Sequence, residues 1–214
     1  MISHKHKFVF IQIPKTGTTS IERALKSHPN NLNCKYVHGN ISKHFTHTEY
    51  LNNKILDRGY FSFTFCRNPW DRLVSQFHFS GKKWWEFYPE LQKNIKFTFE
   101  NYIKELVIKK PFSRHLYTSR LHDDTWAVND LDWSQYQFIS PGVDFIGKYE
   151  NLYSDWCTIC NMLNIPLIDL GWSNNRKHKR KLSHYTEYYT EETRQIIAER
   201  YAKDIEYFGY KFGE

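Results

Sequence analysis

Residues 8–20 read FVFIQIPKTGTTS, and the helical pattern SIERALKS follows at once. An apolar run of β type leads through a small, hydroxyl-rich loop straight into a helix. That order is the repeating unit of folds built on parallel strands. Small residues let backbone N–H groups turn inward around a tetrahedral anion. The helix N-terminus behind them adds partial positive charge. Residues 14–20 therefore form a candidate seat for a phosphate or a sulfate. The loop is not a Walker A loop, which needs its lysine after the second glycine. Here Lys15 precedes the only glycine, Gly17. A strand-to-helix turn that holds no ligand is the alternative at this point.

The rest of the chain repeats the alternation. The sequence predicts a strand over 8–13, a helix from Thr18 to Ser27 and a short helix from Thr46 to Leu56, where Tyr50, Leu51 and Ile55 share one face. The aromatic run YFSFTFC at 60–66 reads as a strand. Asn68-Pro69 then opens a helix, with asparagine at the N-cap and proline at the first helical position. A helix from Thr98 to about Lys109, a strand over 143–149 and a helix over Leu152–Asn164 follow. A last helix runs from a Thr190 cap to about Phe208, with Ile196, Ile197, Tyr201, Ile205 and Phe208 on one face. The fold class is α/β: a single domain over residues 1–214, with a central, mainly parallel sheet flanked by helices. Ligands of such sheets sit beyond the carboxyl ends of the strands, where both Lys15 and Arg67 lie.

A net charge of +7 and a pI near 9.1 favour anionic partners. Aromatic residues make up 18%, which suits stacking on a base or on a sugar ring alike. No run of 18 apolar residues exists, so no membrane span is predicted. The basic start MISHKHK precedes an apolar run of only six residues with no small-residue cleavage site, which argues against a signal peptide and for a soluble, cytoplasmic protein. Cys34, Cys66, Cys157 and Cys160 are then expected as free thiols. Cys157 and Cys160 form a C-x-x-C with no second ligand pair, inside a helical pattern. Core packing outweighs zinc or redox chemistry there.

Residues 61–75 read FSFTFCRNPWDRLVS. Arg67 leaves a strand end beside a helix N-terminus and can hold a second phosphate. A surface pair with Asp71 is the competing reading. IPKTGTTSIERAL followed by FCRNPWDRLVSQF resembles the sulfotransferases that use 3′-phosphoadenosine 5′-phosphosulfate, PAPS, and most of all their carbohydrate sulfotransferase branch. GKYENL at 147–152, HYTEYYTEET at 184–193 and YAKDIEYFGYKF at 201–212 extend the resemblance over nearly the whole chain. Residues 80–140, the irregular acceptor-side region, carry little of it.

The resemblance implies the fold of P-loop-containing nucleoside triphosphate hydrolases. It also implies a donor site in which Pro14, Lys15, Thr16, Gly17, Thr18, Thr19 and Ser20 hold the 5′-phosphosulfate. Lys15 would meet the bridging oxygen, and backbone groups of Thr16 to Thr19 the nonbridging ones. Arg67 and Ser75 would bind the 3′-phosphate. Thr18 stands where many carbohydrate-directed relatives have a second glycine. The product would be adenosine 3′,5′-bisphosphate, and no step calls for a metal.

The acceptor hydroxyl needs a general base, and histidine suits that task near neutral pH. His44 and His47 lie between the two anion motifs. His44-Phe45-Thr46 fits the family's His-x-Thr better than His47-Thr48-Glu49 does, and His38 is a third candidate. The basic run Arg176–Lys181 would fold over the nucleotide in a related enzyme, but read alone it is a solvated basic loop. Glu150 is expected to fix local structure. Trp84, Trp85, Trp126 and Trp133 are candidates for stacking on the acceptor, or for core packing. The expected partners are a nucleotide donor and a hydroxyl acceptor on a carbohydrate or glycolipid, with nucleic acid not expected. Two other classes compete: a nucleotide-dependent kinase on a similar loop, and a non-enzymatic polyanion binder that uses the 176–181 cluster.

Overall fold

Three parallel strands carry the architecture of the computed structural model, which describes residues 1–36, 44–52, 59–86, 88–108, 134–170 and 184–214. They are β2 (Phe8–Ile11), β3 (Phe61–Cys66) and β4 (Phe145–Lys148). A two-residue strand β1 (Ile2–Ser3) pairs antiparallel with β2, and the sheet order is β1-β2-β3-β4. The pairing sets Ile11 beside Thr64 and Cys66 beside Lys148, so β2, β3 and β4 point the same way. The mixed α/β class with helices flanking a largely parallel sheet is as the sequence predicts. The strand β1 was not legible, because two residues carry no periodicity.

The strands form because both faces of the parallel ladder are buried, one by aromatic rings and the other through residues such as Val9 and Ile11. Phe8, Phe10, Phe63 and Phe65 are all buried, with Phe10 stacked on Phe63 at 4.9 Å between ring centroids. They pack with Ile21, Ala24 and Leu25 of helix α1 (Thr18–Lys26) and with Trp156, Ile159 and Cys160 of a helix at Leu152–Met162. Burial of each such ring contributes about 1.5–3 kcal/mol. One neighbour pays for this density: β4 carries Gly147 opposite Phe65, and a Cβ at that position would stand 2.5 Å from the Phe65 ring.

The described chain divides into two compact units, each made of two segments. The first comprises Met1–Arg67 and Gln135–Asn175, and holds the sheet, α1, α2 (His47–Asn52) and the helix Gln135–Ile139. The second comprises Asn68–Ser134 and Arg176–Glu214. It opens with α3 (Pro69–Gln76), capped as predicted by the Asn68 side chain, which accepts from the Trp70 N–H. Its core is built from Trp70, Leu73, Val74, Tyr102, Ile103, Leu106, Tyr185, Ile197 and Tyr201. Trp85 belongs to that core at 4% exposure, so it packs rather than stacks on an acceptor. Trp126 and Trp133 lie outside the described residues, as does the side chain of Trp84.

Several element boundaries differ from the sequence reading. The helix after Asn68 passes into a π-helical segment at Phe77–Gly81, and the one capped by Thr98 does the same at Tyr102–Ile108. The C-terminal helix is broken at Tyr201 into Glu191–Arg200 and Ala202–Phe208. Tyr201 leaves helical geometry, at φ −109° and ψ 26°, and its ring is buried in the core. Tertiary packing overrides the continuous helical pattern there.

Gly147→Ala is expected to destabilise the fold by about 1–3 kcal/mol, because the added methyl must displace a buried ring. Urea unfolding of the variant against wild type measures this. An unchanged midpoint would mean that Phe65 yields freely.

Candidate functional site

The chain leaves β2 through Gln12 and Ile13, both buried, and turns at Pro14. Thr16 closes the turn: its hydroxyl donates to the Ile13 carbonyl at 2.8 Å and is fully buried. Its side chain is therefore structural, and any contact it offers a ligand comes from the backbone. Lys15 has φ +69° and Gly17 φ +85°. The first is a costly conformation for a residue with a Cβ, worth of order 1–3 kcal/mol, and it persists only where the surroundings impose it. The second is free for glycine. A side chain at Gly17 would also be crowded, since a Cβ would meet Leu152 Cδ2 at 3.1 Å and Tyr149 Cδ2 at 3.3 Å.

Gly17 caps α1 without any side-chain bond, and the first turn of α1 contains no acidic residue. The Ser20 N–H is taken by the Gly17 carbonyl at 3.0 Å. These features fit an anion at the loop: the helix end faces no competing carboxylate from its own first turn. Lys15, Gly17, Thr19 and Ser20 are half-buried, while Pro14 and Thr18 are buried.

Arg67 follows β3 and is only 4% exposed, which rules out an ordinary surface arginine. Its main chain is held on both sides by one side chain. Gln135 Oε1 accepts from the Arg67 N–H at 2.9 Å, and Gln135 Nε2 donates to the Arg67 carbonyl at 2.8 Å. The guanidinium lies over the Tyr149 ring, with Cζ 3.9 Å from the ring centroid. Its Nη1 donates to the Lys15 carbonyl at 3.0 Å. The two motifs, 52 residues apart, thus meet at one hydrogen bond. Ser75, also expected at the second phosphate, is half-buried on α3 of the second unit.

His44 is 9% exposed, and its Nδ1 lies 2.7 Å from the Gln12 carbonyl oxygen. A carbonyl can only accept, so Nδ1 carries the proton and the neutral ring presents its lone pair at Nε2. That is the tautomer a general base needs. Thr46 does not face a ligand: it caps α2, where its hydroxyl and N–H both donate to Glu49 Oε2, at 2.9 and 2.8 Å. His47 opens α2 and is half-buried, with Nδ1 buried and lacking a hydrogen-bond partner. Burial holds its imidazole below the ordinary 6.5, and Asp144 pulls in the opposite direction. His38 and the run 176–181 lie outside the described residues. Glu150 is exposed, in a short turn after β4.

Two residues of this arrangement have no role that motif or spacing assigns. Gln135 stands 68 positions from the residue it clamps. Tyr149 stands in the GKYENL segment, just past β4, and an aromatic residue at a strand's carboxyl end is the only hint of its place. Of the cysteines, Cys157 and Cys160 lie on the helix Leu152–Met162 and all four are free thiols. Burial pushes the Cys160 thiol up to about 11, which keeps it unreactive. Among the described residues no group of three or more His, Cys, Asp or Glu is placed to hold a metal, and no helix is long and apolar enough to cross a membrane.

A model described as Sulfotransferase family matches residues 1–211 of the chain. An uncharacterized protein of Archaeoglobus fulgidus is 29% identical over 116 residues, which cover 54% of this chain and 77% of that protein. No solved structure matches.

Because folding favours the neutral form of His47, the unfolded chain binds more protons in the range just below 6.5. Stability attributable to this group is present above that range and falls as the pH drops through it. His47→Gln removes that dependence. Urea unfolding above and below this range should show wild type losing more stability on acidification than the variant. Equal losses would contradict the burial effect.

Proposed function

The chain belongs to the sulfotransferase family, and on that premise we propose that it moves a sulfuryl group from PAPS to an acceptor hydroxyl, with a carbohydrate as the acceptor class. The observation that carries this reading is the hydrogen bond from Arg67 to the Lys15 carbonyl. It joins two cationic residues from separate strand ends into one site, and PAPS carries two separated anionic groups. The sequence resemblance and the basic net charge of +7 support the same donor.

The donor supplies an activated sulfuryl group on a phosphate leaving group. The loop holds the phosphosulfate through backbone N–H groups of Thr16 to Thr19 and the end of α1. Lys15 supplies its ammonium at the bridging oxygen, where charge grows as the sulfur–oxygen bond breaks, so its contact is stronger in the transition state than before it. Arg67 binds the 3′-phosphate. The same role for Ser75 rests on the RNPWDRLVS motif alone. His44 Nε2 takes the proton of the acceptor hydroxyl as its oxygen attacks sulfur, and Nδ1–H stays on the Gln12 carbonyl, fixing the ring. The bond formed is oxygen to sulfur, and the electron pair of the broken bond leaves with adenosine 3′,5′-bisphosphate. Fixed dipoles and cations do the neutralising, and no step needs a metal.

Adenosine 3′,5′-bisphosphate at a hundredfold excess over its Kd should raise the melting temperature by about 5–10 °C, more than ATP with magnesium does. Stabilisation by ATP–magnesium alone would replace this reading with a kinase. Stabilisation by a sulfated polysaccharide alone would replace it with a polyanion binder. With a turnover assay in hand, Lys15→Ala should fold as wild type and lose on the order of 10²–10³ in rate. His44→Ala should lose on the order of 10²–10⁴, and His47→Ala little. The reverse order of the two histidines would move the base to His47.

A further inference from the structure

We infer that Tyr149 is a positioning residue for the donor site, locking Arg67 and the loop into one geometry through the face of its ring. The inference rests on the reading of Arg67 and residues 14–20 as the donor site. An arginine side chain has many rotamers, and about 2 kcal/mol of freedom is lost when it is fixed. Gln135 fixes the Arg67 main chain but not its head. The head lies over the Tyr149 ring, with Cζ 3.9 Å from the ring centroid, and a guanidinium over an aromatic face away from water is held firmly.

That stacking has a consequence at the loop. Held there, Arg67 Nη1 donates to the carbonyl of Lys15, the residue whose backbone is in the left-handed region at φ +69°. A strained conformation persists only when neighbours over-determine it, and this bond is one of those determinants. The same ring also borders Gly17, where a Cβ would stand 3.3 Å from Tyr149 Cδ2. One side chain therefore touches both anion motifs, the first at Gly17 and the second at Arg67.

Tyr149 is itself well supported. It follows β4 directly, and the preceding Lys148 N–H donates to Asp155 Oδ2 at 2.6 Å. A short turn, Tyr149–Asn151, leads into the helix Leu152–Met162, whose first residue, Leu152, is the other neighbour of Gly17. The contact with Arg67 uses only the ring face. The phenol oxygen plays no part in it, so phenylalanine should replace tyrosine and an aliphatic residue should not.

The test measures affinity for adenosine 3′,5′-bisphosphate by calorimetry in wild type, Tyr149→Phe and Tyr149→Leu, each also combined with Arg67→Met. Tyr149→Phe should bind like wild type, and Tyr149→Leu about tenfold more weakly. Because the ring acts through the guanidinium, Tyr149→Leu should add nothing in the Arg67→Met background. Wild-type affinity in Tyr149→Leu, or losses that multiply in the double variant, would overturn the inference. A second measurement needs no ligand. Amide exchange over residues 14–20 should quicken in Tyr149→Leu and in Arg67→Met but not in Tyr149→Phe, and unchanged exchange in the first two would overturn it as well. If wild type does not bind the bisphosphate, the donor assignment fails, while the exchange result still decides whether Tyr149 holds the loop.

Discussion

Parallel pairing of β2, β3 and β4 is the constraint from which the site follows. Strands that run the same way deliver their carboxyl ends to one edge of the sheet, and each end must there turn into a connection. Ile11 pairs with Thr64, and Cys66 with Lys148. The residues that follow these ends are the Gln12–Gly17 turn, Arg67 and Tyr149. Nothing in their own chemistry would bring them together. The ladder does, and it is held in register by buried phenylalanines that leave room for only a glycine at 147.

The pieces at that edge are stiff in complementary ways. The loop is bent by two residues of positive φ, of which only Gly17 adopts it without cost. Thr16 ties the bend inward to Ile13, and Arg67 ties it across to the next strand end. Arg67 is in turn fixed twice, by the Gln135 amide on its backbone and by the Tyr149 ring on its head. His44 is fixed through its Nδ1 to the same stretch of chain, at Gln12. The polar groups of the candidate site are thus oriented by the fold itself.

The fold was legible where local chemistry and packing agree. The run FVFIQI, the aromatic 60–66 segment and the Asn68-Pro69 cap each specify their element with side chains that also suit the core. It was illegible where packing overrules pattern: the break at Tyr201, the passage from α helix to π helix after Gln76, and the β1 strand of two residues. In the candidate site, Lys15, Gly17, Arg67 and the two histidines were readable because they lie in short motifs of charged, small or titratable residues. Gln135 and Tyr149 were not, because their roles depend on neighbours 68 and 82 positions away by sequence or on the face of a ring.

The sequence by itself determined the α/β class, the strand-to-helix loop with its lysine ahead of the glycine, and membership of the sulfotransferase family. These are matters of residue order, which periodicity and motif spacing express directly. Only the tertiary structure decided that Arg67 is buried and bonded to the Lys15 carbonyl, that His44 carries its proton on Nδ1, that Thr16 and Thr46 serve the backbone, and that Trp85 belongs to the core. The bonds of Arg67, His44 and Thr16 depend on which backbone carbonyl lies within about 3 Å of a side chain, and the place of Trp85 depends on the packing of its core; folding sets both, and the order of residues along the chain does not express them.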